Sequence, residues 1–173
     1  MACLMSTGRK LPCKDVVGGL KTVWFAQYGT LGQLTITNGT LTAISGLLVN
    51  MYKYDIKGGN NLEQTITSSD ENGTAFYGMT LTLVLTKLDV ATQVELEKIV
   101  AGRPHVFVED NNGNTFAVGL TRGCNVNGTI TTGTNLGDMN GYTLTITAEE
   151  PIIAPFVNKT IITARTSPTQ LTP

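Results

Sequence analysis

One histidine, His105, stands in the stretch AGRPHVFVEDNNGNTF, with Arg103 just before it and Glu109 and Asp110 just after. A histidine among carboxylates could serve as a general acid–base group or as a metal ligand. The spacing argues against both. If HVFVED is a strand, His105, Phe107 and Glu109 share a face, and His105 and Glu109 lie about 13 Å apart at about 3.3 Å per residue. That is too far for a hydrogen-bonded dyad or for one shared metal. Glu109 and Asp110 point to opposite faces, so they form no carboxylate pair. Pro104 reads as the stop after a helix, and EDNNGNT as a polar hairpin connection.

Other chemistries fare no better. There is no G-x-S-x-G elbow, and Cys3, Cys13 and Cys124 lie in no recognisable catalytic context. Their odd number and the lack of C-x-x-C spacing argue against a disulfide framework or a zinc site, and for a reducing compartment. SSDENG (68–73) holds Ser69, Asp70 and Glu71, but adjacent side chains in a loop diverge. VVGGLK (16–21) is glycine-rich without the spacing of a phosphate loop. DNNGN (110–114) is too short for a calcium loop and lacks its terminal bidentate glutamate. The sequence predicts no enzyme, no cofactor and no metal.

The elements that carry these residues are mostly strands. TLTLVLT (80–86) places Leu81, Leu83 and Leu85 on one face and Thr80, Thr82, Val84 and Thr86 on the other. YTLTIT (142–147) separates Tyr142, Leu144 and Ile146 from three threonines, and QLTIT (33–37) repeats the pattern. This is the period of half-buried antiparallel strands, with β-branched threonine on the wetter face. Asn-Gly dipeptides begin at 38, 72, 112, 127 and 140 and predict strand-to-strand turns, because hairpin turns require positive φ. One segment, DVATQVELEKIVAG (89–102), reads as a helix with Asp89 as N-cap and Gly102 as the C′ residue. Its apolar set is Val90, Val94, Leu96 and Val100, with Ile99 to the side.

Composition narrows the class. The chain of 173 residues suits one domain, and 41% hydrophobic residues suffice for a core. Only 14% of residues are charged, which is low for a free surface and suggests that other subunits cover part of it. The net charge is −1 and no run of Lys or Arg occurs, which argues against tight nucleic-acid binding. No stretch approaches the roughly 18 to 20 apolar residues that span a bilayer, and MACLMSTGRK does not read as a secretory signal. The expected architecture is a mainly β, antiparallel sandwich or barrel (23–150) with one short flanking helix at about 89–101. An N-terminal arm (1–22) and an extended C-terminal tail (151–173) flank it. Pro151, Pro155, Pro168 and Pro173 exclude a continuous helix in the tail. The tail is either a last strand on its own sheet or an arm on a neighbouring subunit. Trp24, in TVWFAQY beside Phe25 and Tyr28, reads as core or subunit interface.

Two stretches are familiar in combination. NNLEQTITSSDENGTAFYGMTLTLVLTKLDVATQVELEKIVAGRPHVFVEDNNGN joins a loop, a strand, the helix and a hairpin, and LGDMNGYTLTITAEEP closes the domain with another strand. Over residues 60–151 this order resembles the virion structural proteins of tailed bacteriophages that form tail tubes. The resemblance implies a β-sandwich or barrel with one flanking helix, assembled with copies of itself into rings, commonly hexameric. The rings stack into a hollow tube through which DNA passes without specific binding. It further implies contacts with other tail proteins, no membrane, assembly in the host cytoplasm and residence in the virion tail. Such families contact the adjacent ring through a long loop and a terminal arm. The matching positions are the loop 57–75, with Asn60, Asn61, Glu63, Ser68, Asp70 and Glu71, and the tail after Pro151, with Ile152, Ile153 and Phe156. The alternatives are a tail-completion, baseplate or neck ring protein and, from another class, a β-sandwich module that binds carbohydrate.

Overall fold

Strand alternation decides the architecture. The structure, a computed structural model, describes residues 7–45 and 50–168. The described chain runs β1 (Leu20–Ala26), β2 (Gln33–Thr37), β3 (Thr40–Ser45), β4 (Met51–Asp55), β5 (Asn61–Ser69), β6 (Thr74–Thr86) and α1 (Val90–Ala101). It continues with β7 (His105–Asp110), β8 (Thr115–Val118), β9 (Asn125–Thr131), β10 (Gly141–Glu150), β11 (Phe156–Val157) and α2 (Lys159–Thr163). The strands form a seven-stranded sheet, β2-β3-β11-β8-β7-β1-β4, and a four-stranded sheet, β5-β6-β10-β9. Pairing is antiparallel except between β11 and β3. The fold is therefore mainly β, with two sheets and one substantial helix, as the alternation predicts.

The main core lies between the sheets. Leu83 faces Leu144 and Leu81 faces Ile146 across the β6–β10 pair, and all four are buried. From the larger sheet Val23, Phe25, Val106 and Val108 meet them. The other faces of β1 and β7 are buried as well: Trp24, Ala26 and Phe107 pack with Leu41, Ile44, Met51, Val157, Ile161 and Ile162. A strand covered on both faces reads as a continuous apolar run, which is why TVWFA and HVFV do not alternate. Trp24 sits in this second core layer and offers no exposed aromatic platform for a sugar.

Helix α1 begins where expected, with the Asp89 carboxylate accepting from Thr92 N, and Tyr142 Oη donating to Asp89 O ties that end to β10. Its inward row differs from the apolar stripe. Leu96 is the buried residue and Ile99 packs on the core, while Val90, Val94 and Val100 face solvent. Gly102 ends the helix in extended geometry (φ −92°), not in the left-handed conformation of a C′ glycine. Pro104 then disfavours helical geometry at Arg103, so the chain does not resume the helix after Gly102.

The Asn-Gly signals divide. Asn38 and Gly39 both have positive φ (50° and 74°) and make the tight β2–β3 turn. Those at 72 and 112 lie in the β5–β6 and β7–β8 connections. Asn127-Gly128 instead lies inside β9, where a Cβ on Gly128 would come within 3.0 Å of Leu144 Cδ2. Gly141 opens β10 with the Leu85 carbonyl oxygen 2.1 Å from where its Cβ would stand. These two glycines answer close packing, not turn geometry.

Two segments take more structure than the sequence suggested. The stretch read as a loop over 57–75 contains β5, paired along its whole length with β6 from Asn61↔Thr82 to Ser69↔Thr74. Glu, Gln, Thr and Ser disguise it because much of it is exposed on both sides. The C-terminal stretch takes the first of its two readings: β11 inserts into its own sheet between β3 and β8, and α2 follows with Asn158 as its cap. Residues 169–173 of the tail and 1–6 of the arm lie outside the described residues.

Candidate functional site

The histidine that opens β7 is a clamp. His105 is buried, its Nδ1 lies 2.6 Å from Gly119 O, and its Nε2 accepts from Gly29 N at 3.3 Å. With one ring nitrogen facing a carbonyl and the other a backbone N–H, the ring is the neutral tautomer protonated at Nδ1. Burial pushes its pKa below the usual 6.5, against the raising effects of the Gly119 carbonyl and the Glu150 charge. Tyr28 stacks on the ring at 5.2 Å, and the Arg103 guanidinium lies 4.7 Å from the Tyr28 centroid. Nearby Cys124 is pushed up to about 12 by burial and then by Glu150, so it stays a thiol. Glu150 directs Oε1 to the backbone N–H groups of Thr121 and Arg122. Both ring nitrogens are engaged by backbone, which leaves neither for proton transfer. Among the described residues no group of three or more His, Cys, Asp or Glu is placed to hold a metal.

A second surface is defined by what it omits. The outer face of the four-stranded sheet carries Thr80, Thr82, Val84 and Thr86 from β6 and Thr143, Thr145 and Thr147 from β10, flanked by Asn125, Asn127, Thr129 and Thr131 from β9. The register aligns them in rows, Asn61–Thr82–Thr145–Asn127 and Glu63–Thr80–Thr147–Asn125. Strands about 4.8 Å apart, with same-face residues about 6.8 Å apart, make this a lattice of hydroxyls and amides. Glu63 and Glu149 are its charged members, and no Lys or Arg stands among them.

The residues expected at a subunit interface separate into three groups. Asn60 is buried, and its Oδ1 accepts from Val84 N at 2.6 Å, so it fixes the entry to β5 and presents nothing to a partner. Asn61, Glu63, Ser68, Asp70 and Glu71 are exposed along β5 and its turn. β10 pairs with β6 only as far as Glu150↔Tyr77, so the ribbon from Ile66 to Phe76 pairs with itself alone and overhangs the sandwich. Ile152, Ile153 and Phe156 are each about half exposed, and Phe156 packs against Phe116 at 4.8 Å between centroids. Gln64 Oε1 accepts from Ala154 N, which brings the tail beside β5 but not beside the tip.

Sequence reading missed several exposed apolar side chains: Leu11, Val16 and Val17 before β1, and Ile66 and Phe76 on the ribbon. The available signal was apolar residues in segments whose other residues are polar and whose pattern defines no buried face. Compared with known proteins, the chain matches no family model, no curated protein and no solved structure.

Proposed function

We propose that this chain is a structural subunit of a bacteriophage tail, whose copies form hexameric rings that stack into a hollow tube for DNA. The observation that carries the reading is the hydroxyl-and-amide face of the four-stranded sheet. DNA held by Lys or Arg releases counterions and binds, whereas DNA in transit must not be held. A wall of threonine and asparagine with two carboxylates offers phosphates neutral hydrogen-bond donors but no cation whose binding would release counterions. Supporting it are the low charge of the chain and exposed apolar residues on arm, ribbon and tail, the kind of surface that protein partners cover. In this role the protein binds other copies of itself and other tail proteins, resides in the virion and performs no catalysis. Negative-stain microscopy of the purified chain tests the proposal. Rings and stacked tubes are expected, and a monomer at every concentration would overturn it.

A further inference from the structure

Asn-Gly dipeptides begin at 38, 72, 112, 127 and 140, and the fold holds them very differently. In such a pair the glycine N can attack the asparagine Cγ, because no Cβ on the glycine shields its nitrogen. The glycine N–H proton passes to solvent base, the N–Cγ bond forms, and the side-chain nitrogen leaves as ammonia. Water then opens the resulting succinimide. Hydrolysis at the Cγ–N bond leaves aspartate; hydrolysis at the main-chain carbonyl leaves isoaspartate, whose backbone runs through the former side chain. Water is the only co-reactant. The attack requires the peptide plane between the two residues to swing toward the side chain, so a dipeptide held by hydrogen bonds must first open locally.

Four of the dipeptides are held. Asn38-Gly39 is a two-residue turn closed by the Thr37↔Thr40 pair, and Gly39 O accepts from Phe156 N at 3.0 Å. Asn112 accepts from Val17 N at 2.9 Å and donates to Val17 O at 2.7 Å, while Gly113 N donates to Asp110 O. Asn127-Gly128 lies within the β9–β10 ladder, opposite Thr145 and Leu144. Asn140 accepts from Leu88 N through Oδ1 and from Lys87 N through its carbonyl.

Asn72-Gly73 lacks such restraint. It lies in the four residues, 70–73, that join β5 to β6 at the tip of the overhanging ribbon, and both residues are exposed. Asn72 N and Nδ2 reach only Ser69 Oγ, each at 3.3 Å, and its Oδ1 accepts from no described residue. Gly73 N, unlike Gly113 N, donates to no described residue, and the space around Gly73 is open.

We infer that Asn72 is the position at which the folded chain deamidates, by succinimide formation with Gly73 and hydrolysis. Conversion places a third carboxylate beside Asp70 and Glu71, on a ribbon that holds no Lys or Arg from 64 to 76, and removes the Nδ2 donor to Ser69. The chemistry is that of the single chain, so it stands or falls apart from the assembly reading.

The full chain, kept folded at mildly alkaline pH and sampled over time, tests the inference by tryptic mapping and mass spectrometry. Peptide 58–87 contains Asn72-Gly73 and no other Asn-Gly. It should gain the mass difference between OH and NH2, and the intact chain should elute later from an anion exchanger. Asn72 should convert at least about tenfold faster than the other four sites, the factor that about 1.4 kcal/mol of local opening imposes. In concentrated urea all five should convert at similar rates, which separates protection by the fold from intrinsic reactivity. Asn72→Gln should abolish the change in 58–87. A folded chain whose 58–87 peptide stays unmodified while the urea sample converts would overturn the inference. So would a second dipeptide converting as fast as Asn72 in the folded chain, or a mass gain that persists in Asn72→Gln.

Discussion

Removal of everything after Glu150 should prevent folding. β11 is the only strand between β3 and β8, so the truncation disconnects the β2–β3 hairpin from the rest of the seven-stranded sheet. It also strips Val157, Ile161 and Ile162 from the second core layer and uncovers Trp24, Leu41 and Phe107. Each aliphatic side chain contributes roughly 1.5–3 kcal/mol when fully buried. A further loss falls on Glu109, which is buried and bonded to Lys159 Nζ at 2.5 Å. Breaking a buried pair costs about 3–5 kcal/mol, and the low end applies here because the lysine is half exposed. These losses together rival the roughly 5–15 kcal/mol by which a domain is stable. Urea unfolding followed by Trp24 fluorescence is the assay. The full chain should unfold cooperatively, the truncated chain should show no native baseline, and Ile162→Ala should lose about 2–5 kcal/mol. A truncated chain that unfolds cooperatively near the full-length midpoint would refute the reasoning and return the tail to the role of a free arm.

The buried histidine predicts a pH dependence. Its folded pKa lies below the unfolded 6.5, so the unfolded chain binds the extra proton first. Its contribution is present above pH 6.5 and is lost as pH falls from there through the folded pKa, at a slope of at most about 1.4 kcal/mol per pH unit. The difference in urea stability between wild type and His105→Gln should follow that slope below pH 6.5 and flatten above it; a difference independent of pH would sink the assignment. Gly141→Ala should destabilise by about 1–3 kcal/mol, because the new methyl meets the Leu85 carbonyl where β10 begins to pair with β6. A denaturation midpoint equal to that of wild type would show that β10 is free to shift away from β6.

The legible part of the fold was the part where one face is wet. β6 and β10 alternate because their outer residues meet solvent, so Leu81, Leu83, Leu144 and Ile146 identified the core from spacing alone. β5 escaped notice for the converse reason: past Leu62 neither of its faces is buried deeply enough to demand apolar residues, so the pairing is held by backbone hydrogen bonds that no side chain records. α1 shows a third case. Its cap was legible because Asp89 answers a local need, but its inward face was not. Three exposed valines outweighed Leu96 and Ile99 in the count of apolar positions. β11, two residues long directly after Pro155, has too little length to show any period.

Distances along a strand bear only on whether His105 and Glu109 can pair, and the clamp leaves no trace in them. The partners of His105 are backbone groups of Gly29 and Gly119, brought from elsewhere in the chain by turns. Backbone partners leave no trace in residue type, so a lone histidine with no acidic neighbour within reach looks idle in sequence even when both nitrogens are bound. The same argument bears on assembly surfaces. A buried core must be apolar whatever the sequence around it, whereas a surface covered only by another copy has to remain soluble until that copy arrives. Leu11 and Ile66 are single exposed apolar residues set among charges and hydroxyls, and under the assembly proposed above they are of the kind such a surface would use. Apolar residues set singly show no period, so the rule that reveals a core in the sequence passes over them.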